Sequence, residues 1–260
     1  REATSGHACG RRRRVPDKGR GRGGTVRRVV VAGDLTPWLR PEALSLGRLP
    51  IGSVGPPLAS VAAARHDDAS PWVRSLAGTW RFRLAERPDD VADLHLSGPT
   101  DGPAWSDLAP PGTWVLQGHG APAYLNIEMP FELQPPEVPT ANPTGVHRTT
   151  FRLPAAWLRE RRRTLLRLGS ADSCGFVWCN GTFVGFGKDS RLPSTFDLTD
   201  HLRAGANDLA VVVPQWSDAS WIEDQDQWWL PGLHRDVELW SVPATWLADA
   251  AVVPDLDLVT

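Results

Sequence analysis

Two runs rich in apolar and aromatic residues flank the dipeptide Asn180-Gly181. The first run covers residues 176–179 and the second covers residues 182–186. Asn and Gly are the residues that best tolerate the positive φ values of a type I′ turn, and this turn matches the twist of two antiparallel strands. The sequence therefore predicts a β-hairpin over residues 176–186 and favours a fold built on antiparallel sheets.

Turn residues and short alternating runs extend this prediction to most of the chain. The sequence holds 24 Pro and 24 Gly, which divide it into short segments, and its 13 Trp suit strands better than helices. Residues 79–84 and 147–153 alternate apolar and polar side chains, as half-buried strands do, whereas residues 165–168 and 209–213 are typical of more buried strands. We expect an all-β fold, a jelly-roll β-sandwich over residues 70–243.

Two short helices are expected among these strands. Residues 155–162 follow Pro154, which is favourable at the first position of a helix. Asp197 is a suitable N-cap for a second helix that ends near Leu202. Strands still dominate the prediction.

Charge is distributed unevenly between the start of the chain and the remainder. Residues 1–30 hold ten Lys or Arg and two acidic residues, whereas the remainder holds 18 basic and 28 acidic ones. The first part has too few apolar residues to bury a core, so we expect a disordered basic leader over 1–40 and an extended segment over 41–69. A tail that binds RNA or a membrane is the less favoured interpretation of these charges, and we predict neither partner.

Three cysteines, an odd number in a chain of this size, argue against a disulfide framework and favour the cytoplasm. No apolar run is long enough for a secretory signal or a transmembrane span. Cys174 and Cys179 lie in an apolar stretch without His at a zinc spacing, so core packing is favoured over a metal site. The chain starts at Arg1 and its single Met is Met129, so we expect a truncated, processed or mis-started sequence.

Residues 216–237 combine tryptophan, carboxylate and glutamine side chains at high density. A pyranose offers hydroxyl groups that need carboxylate or amide partners and an apolar face that stacks on indole, so this composition suits a sugar. The alternative is a solvated acidic loop beside buried core tryptophans. Composition alone leaves both interpretations open.

Six blocks of sequence, in order, resemble the amino-terminal part of the large bacterial β-galactosidases of glycoside hydrolase family 2. They are RSLAGTWRFRL (74–84), PGTWVLQGHGAPAYLNI (111–127), PPEVPTANPTG (135–145), VWCNGTFVGFGKDSRLPSTFDLT (177–199), LRAGANDLAVVV (202–213) and EDQDQWWLPGLHRDV (223–237). The resemblance implies a jelly-roll sugar-binding domain of the galactose-binding type. It also implies that residues 244–260 begin an immunoglobulin-like domain with its first strand.

The resemblance further implies an activity that this chain does not carry alone. In the family, a (β/α)₈ barrel supplies two catalytic glutamates, which sit about 5–5.5 Å apart in retaining glycosidases. We therefore expect the amino-terminal fragment of an enzyme that releases terminal non-reducing β-D-galactose from lactose-like galactosides, with no catalytic residue in this chain. Its partners would be the substrate and the remaining domains of the enzyme, with magnesium in the missing barrel, and a homo-oligomer is left open.

Two residues match positions that the family directs into the galactose pocket. Asp226 matches an aspartate that contacts galactosyl hydroxyl groups and ligates a sodium ion, and an ionised carboxylate suits both roles. Asn126 matches a second substrate-contacting residue, whose amide both donates and accepts hydrogen bonds. Taken without the surrounding match, Asn126 would be a turn residue.

Other polar residues in the matched blocks are predicted to be structural. Arg235 and Asp236 belong to the scaffold at the start of a strand, and Asp189, Arg191 and Asp218 fix loops. Glu223 and Asp224 do not form an acid–base dyad, because adjacent residues of an extended segment point in opposite directions. His119 and His147 have no partner pattern for a triad or a metal site.

Two alternatives to the galactosidase fragment remain at this point. The first is a stand-alone carbohydrate-binding module without hydrolase activity, a common use of jelly rolls. The second keeps the enzyme class but changes the sugar to a β-glucuronide or β-mannoside, and the EDQD and ANPTG sequences favour the galactoside instead.

Two parts of the sequence depart from the family pattern. The first 40 residues do not resemble the segment that helps to form the family's tetramer, and Gln227 and residues 229–231 differ from the family beside Asp226.

Overall fold

The computed structural model describes residues 36–66, 68–126, 128–159 and 161–256. In these residues the strands are β1 (Ser45–Leu46), β2 (Val73–Ser75), β3 (Trp80–Ala85), β4 (Ser106–Leu108), β5 (Gly112–Thr113), β6 (Ala123–Leu125), β7 (Thr144–Arg152), β8 (Arg162–Leu168), β9 (Cys174–Cys179), β10 (Thr182–Lys188), β11 (Ser194–Asp197), β12 (Ala206–Pro214), β13 (Gln227–Trp229), β14 (Gly232–Leu233) and β15 (Val237–Pro243). The α-helices are α1 (Val61–His66), α2 (Asp93–Ser97) and α3 (Ala155–Arg159), with 3₁₀ turns at Thr36–Leu39, Pro88–Asp90, Val115–Gln117, Thr199–His201 and Asp218–Trp221.

The strands form two main antiparallel sheets, as a jelly-roll sandwich requires. A seven-stranded sheet has the order β1-β10-β9-β12-β7-β3-β4, and a four-stranded sheet has the order β11-β8-β15-β2. Two short ladders, β6 with β13 and β5 with β14, join segments that are far apart in the chain. The predicted all-β fold is confirmed.

The seven-stranded sheet is buried on both faces, as its central strand shows. Along β12, Leu209, Val211 and Val213 belong to the core between the two sheets, whereas Ala210 and Val212 belong to a second core cluster. All five are at most 1% exposed. Alternate residues of a strand point to opposite faces, so a continuous apolar run here fills two cores.

The second core cluster lies on the face of the seven-stranded sheet opposite the four-stranded sheet. It contains Leu125 from β6 and Trp229 from β13, together with Trp216 and the sheet residues Phe176 and Trp178. The short β6–β13 ladder is therefore docked on the seven-stranded sheet by its own apolar side chains.

The predicted hairpin is present over β9 and β10. Thr182 pairs with Cys179, and the turn residues Asn180 and Gly181 have φ values of 52° and 77°. Both residues lie in the left-handed region that a type I′ turn requires.

The two predicted helices are shorter than expected. Helix α3 ends at Arg159 because strand β8 begins at Arg162. The region after Asp197 forms a single 3₁₀ turn, and the Asp197 carboxylate accepts a hydrogen bond from the Thr199 N–H at 2.9 Å. Each segment is a short connection between the two sheets: α3 links β7 to β8, and the 3₁₀ turn links β11 to β12.

The predicted leader over 1–40 lies outside the described residues except for its end, where Trp38 is 8% exposed and packs in the second core cluster. The segment 41–69 is not extended throughout, because it contains β1 and α1. Residues 244–256 form no strand, so the immunoglobulin-like strand stays a prediction for 244–260. Within the described ranges, no helix is long and apolar enough to cross a membrane.

Candidate functional site

The β6–β13 ladder presents one buried face and one exposed face. Tyr124 pairs with Trp228, and these side chains are 50% and 59% exposed. Their neighbours Leu125 and Trp229 are 0% exposed and point into the second core cluster. The alternation of a strand thus separates anchoring residues from surface residues.

The two residues predicted to contact substrate lie at the same end of this ladder. Gln227 pairs with Leu125, Asp226 directly precedes Gln227, and Asn126 directly follows Leu125. Both residues are exposed, and each lies two positions from Tyr124 or Trp228, so the alternation of a strand assigns both to the face that carries those rings. Tyr124, Asn126, Asp226 and Trp228 are called the ladder face below.

Tyr124 and Asp226 are joined by a hydrogen bond within this face. The Tyr124 hydroxyl donates to Asp226 Oδ1, and this bond raises the pKa of Tyr124 above its ordinary value. The Tyr124 and Trp228 rings are tilted by 59° with centroids 5.3 Å apart. The ladder face therefore combines a fixed carboxylate, an amide and two exposed aromatic rings, the groups that a pyranose needs.

Sequence reasoning did not single out Tyr124 and Trp228 as site residues. The sequence pattern that could have identified them is the alternation of exposed and buried residues along a strand. Strands β6 and β13 have three residues each, which is too few for that pattern to be recognised. The pairing of β6 with β13 joins segments about 100 residues apart, and periodicity carries no information about such a pairing.

A partly buried polar network lies beneath the ladder face, with the Asp172 side chain 3% exposed and the Arg191 side chain 43% exposed. Arg191 donates from Nη1 to Asp172 Oδ2 and from Nη2 to Gln227 Oε1, each at 3.1 Å. Ser190 donates its backbone N–H to Glu223 Oε1 at 2.9 Å, and its hydroxyl lies 3.2 Å from Asp172 Oδ1. These contacts tie the loop after β10 to the segment that leads into β13.

Two carboxyl groups of this network are shifted in the same direction. Burial, opposed by the Arg191 cation and reinforced by nearby Glu223, raises the pKa of Asp172 to about 7. Burial also raises the pKa of Glu223, although hydrogen bonds from Ser190 stabilise its ionised form. Asp172 is 2% exposed, and its carboxylate is already paired with Arg191 and Ser190. It is therefore unsuited to contacting a substrate.

The residues predicted to be structural make structural contacts. The Arg235 N–H donates to Ser170 Oγ at 3.0 Å, and the Asp236 carbonyl accepts from the Gly169 N–H at 2.8 Å. Asp218 forms a buried ion pair with Lys188, with Nζ and Oδ1 2.7 Å apart.

The histidines and cysteines between residues 36 and 256 show no constellation for catalysis among the described residues. Burial lowers the pKa of His147 to about 4, and its Nδ1 lies 3.2 Å from the Val211 carbonyl oxygen. Cys174 and Cys179 are buried free thiols, and burial raises the pKa of Cys179 to about 11. Among the residues that the structure describes, no three His, Cys, Asp or Glu side chains cluster so as to hold a metal.

A larger concavity lies away from the ladder face. A cleft of about 500 Å³ runs over the outer face of the four-stranded sheet, between residues 49–57 and 246–249. Its lining is mostly apolar, with Leu165, Trp240 and Val242 at its floor. Because a sugar needs several polar partners, the chemistry favours the ladder face over this cleft.

The two packed antiparallel sheets define a β-sandwich domain. Residues 73–243 match the family described as glycosyl hydrolases family 2, sugar binding domain. The chain therefore belongs to glycoside hydrolase family 2.

Curated relatives in this family are β-galactosidases. The chain is 47% identical over 195 residues to the β-galactosidase of Psychromonas ingrahamii, covering 75% of this chain and 19% of the relative. It is 41% identical over 222 residues to that of Photobacterium profundum, covering 85% and 21%. A crystal structure of Bacteroides uniformis β-glucuronidase aligns with a TM-score of 0.49 and 22% identity, over 66% of this chain and 18% of that one. The chain spans about a fifth of the length of these two curated relatives.

Proposed function

We propose that this chain is the amino-terminal, sugar-holding part of a β-galactosidase that hydrolyses terminal non-reducing β-D-galactose with retention of configuration. The observation that carries the proposal is the ladder face, where Asn126 and Asp226 share an exposed surface with Tyr124 and Trp228. Identity of 40–47% to curated β-galactosidases supports the choice of sugar. The remaining domains would supply the two glutamates, one as nucleophile and one as acid and then base.

Each residue of the ladder face has a distinct task in this proposal. Asp226 accepts hydrogen bonds from galactosyl hydroxyl groups, with the strength of a charged acceptor. Tyr124 holds that carboxylate by donating to Oδ1, which fixes its orientation before the sugar arrives. Asn126 both donates and accepts, and the Trp228 indole packs on the apolar face of the ring.

The predicted sodium ion fits these residues only in part. Asp226 offers a carboxylate oxygen and Asn126 an amide oxygen, both of the hard type that alkali cations prefer. The ion, when bound, would neutralise the carboxylate and orient a sugar hydroxyl. Its further ligands and the predicted magnesium would belong to other domains of the enzyme. We also predict a cytoplasmic location for the enzyme and leave a homo-oligomer open.

A domain replacement tests the proposal. The segment of the Psychromonas ingrahamii β-galactosidase that matches this chain is replaced by the corresponding residues of this chain, and hydrolysis of aryl β-galactosides is measured. We expect the hybrid to be active and Asp226→Ala to lower its kcat/KM roughly 10- to 150-fold, since losing a charged partner to a buried hydroxyl costs about 1.5–3 kcal/mol. The matched control is Asp107→Ala, which removes an exposed carboxylate paired with Arg81.

Three results of this experiment would count against the proposal. Asp226→Ala activity equal to that of the Asp107→Ala hybrid would remove Asp226 from the site. Unchanged sodium activation in the Asp226→Ala hybrid would remove its role as a cation ligand. Preference of the hybrid for aryl β-glucuronides or β-mannosides, in contrast to the parent enzyme, would assign a different sugar to the ladder face.

A stand-alone carbohydrate-binding module is the second candidate, and the exposed pair Tyr124 and Trp228 is the observation that favours it. Titration of the 260-residue chain with galactose, followed by tryptophan fluorescence, separates the two functions. A fragment whose pocket is completed by other domains should bind no tighter than millimolar and should not hydrolyse aryl galactosides. Micromolar binding by the chain alone, lost in Trp228→Ala, would support the module.

A further inference from the structure

The loop that follows β10 is held in one conformation by Asp189. This residue has a φ of 97°, and its carboxylate Oδ1 accepts hydrogen bonds from the backbone N–H groups of Arg191 and Leu192 at 3.0 and 2.9 Å. The Arg191 carbonyl in turn accepts from Arg235 Nη1 at 2.6 Å. The backbone at Arg191 is thus fixed from two sides, while its side chain is 43% exposed.

The Arg191 guanidinium bridges two groups beneath the ladder face. It donates to the buried Asp172 carboxylate and to the side-chain oxygen of Gln227, each at 3.1 Å. Gln227 begins β13 and directly follows Asp226 in the chain. Because alternate residues point to opposite faces, the Gln227 side chain that Arg191 holds lies on the inner face while Asp226 lies on the outer one.

The same loop also holds the other end of the segment that carries Asp226. Ser190 donates its N–H to Glu223 Oε1 at 2.9 Å and its hydroxyl to Glu223 Oε2. Residues 223–227 are therefore hydrogen-bonded to this loop at both ends, through Ser190 at Glu223 and through Arg191 at Gln227.

We propose that Arg191 is a positioning residue for the sugar site: by holding Gln227, it sets the strand position at which Asp226 meets Tyr124 and Asn126. The inference rests on the proposed function, because Asp226 contacts a sugar only if that function is correct. The placement of the Asp226 carboxylate by Arg191 can be tested independently of the sugar. A guanidinium suits the task because its planar fork holds two acceptors at fixed geometry, whereas an ammonium is a point donor.

The chain contains its own reporter of this placement. Tyr124 is the single tyrosine of the sequence, and its hydroxyl donates a hydrogen bond to Asp226 Oδ1. Tyrosine labelled with ¹³C at Cζ therefore gives one resonance from the 260-residue chain, and its chemical shift at a fixed neutral pH reports whether the hydroxyl keeps this acceptor. Near-ultraviolet circular dichroism checks that each variant is folded.

We expect Asp226→Ala to move the Tyr124 Cζ resonance away from its wild-type position, and Arg191→Ala to move it in the same direction. Gln227→Ala should do likewise while leaving the Arg191–Asp172 ion pair in place, so it serves if Arg191→Ala fails to fold. Arg191→Lys should not restore the wild-type resonance, because lysine cannot span both acceptors. Arg87→Ala, which breaks an exposed pair with Asp90, is the matched control and should leave the Tyr124 resonance unchanged.

The outcomes separate this inference from the proposed function. A Tyr124 resonance unchanged in both Arg191→Ala and Gln227→Ala, but shifted in Asp226→Ala, would overturn the positioning role and leave the galactosidase proposal standing. A resonance unchanged in Asp226→Ala would overturn the contact on which the inference depends. A shift in all three variants, together with a hybrid enzyme that hydrolyses no galactoside, would support the positioning role while the proposed function fails.

Discussion

Lys188 and Asp218 form a buried ion pair that ties three parts of the chain together. Their side chains are 4% and 6% exposed, and Nζ lies 2.7 Å from Asp218 Oδ1. Lys188 Nζ also donates to the Arg40 carbonyl at 2.7 Å, so the end of β10, the turn before the ladder face and the start of the described chain meet at one cation. This pair offers a strict test of the packing described above.

The variant Lys188→Met keeps most of the side-chain volume and removes the charge. It leaves the Asp218 carboxylate buried without its cation, and breaking a buried pair in this way costs about 3–5 kcal/mol. Neutralising the partner as well, in Lys188→Met with Asp218→Asn, removes the uncompensated charge. We expect the double variant to lie within about 1–2 kcal/mol of the wild type, since the lost hydrogen bond to Arg40 remains as a cost.

Urea unfolding followed by tryptophan fluorescence measures these differences. With an m value of about 3 kcal/mol/M, the single variant should unfold at a midpoint roughly 1 M lower than the wild type. Arg87→Met, which breaks an exposed pair, should leave the midpoint where it is. If the double variant is as unstable as Lys188→Met alone, the loss comes from packing and the reasoning from buried charge is wrong.

Two further predictions concern packing and pH. A methyl group on Gly145 would lie 2.8 Å from Trp114 Cζ3, so Gly145→Ala should lower the free energy of unfolding by about 1–3 kcal/mol in urea titrations. The control is Gly102→Ala, where the added methyl group has no atom within 4 Å and should change this free energy by less than about 0.5 kcal/mol. Because burial raises the pKa of Asp172 to about 7, above its usual value of about 3.9, the folded state binds more protons between these values and the contribution of Asp172 to stability falls as pH rises. Asp172→Asn should therefore gain stability relative to the wild type by up to about 1.4 kcal/mol per pH unit across that window, and a difference that stays constant with pH would contradict this.

Local chemistry in the sequence was sufficient to predict the hairpin and the sheet content. Asn180 and Gly181 specify a turn by their own φ preferences, so no distant contact is needed to place β9 and β10. The loop role of Asp189 was likewise predictable, because Asp readily accepts from N–H groups two and three residues ahead. Helix α3 came out short because its end depends on where β8 pairs, which is tertiary information.

The candidate site was predictable only in part and for a related reason. Asn126 and Asp226 were identified by resemblance, and neither residue type in its local sequence indicates that the two should meet. Tyr124 became visible only through its contact with Asp226, about 100 residues away in the chain. The role of Arg191 depends on three loops converging beneath the ladder face, and such convergence follows from strand order rather than from any one segment.

The ladder face is held in place by the residues packed behind it as well as by its own strand pairing. Two strands of three residues are too short to be stable alone. Trp229 anchors β13 by stacking on Trp216, with centroids 5.1 Å apart, and by donating from Nε1 to the Gln215 carbonyl at 2.8 Å. Trp216 is itself held through its backbone by both ends of the Asn142 amide, each at 2.9 Å. The many tryptophans of this region therefore divide between two tasks: the buried ones fix the strands, and Trp228 is left at the surface where a sugar can reach it.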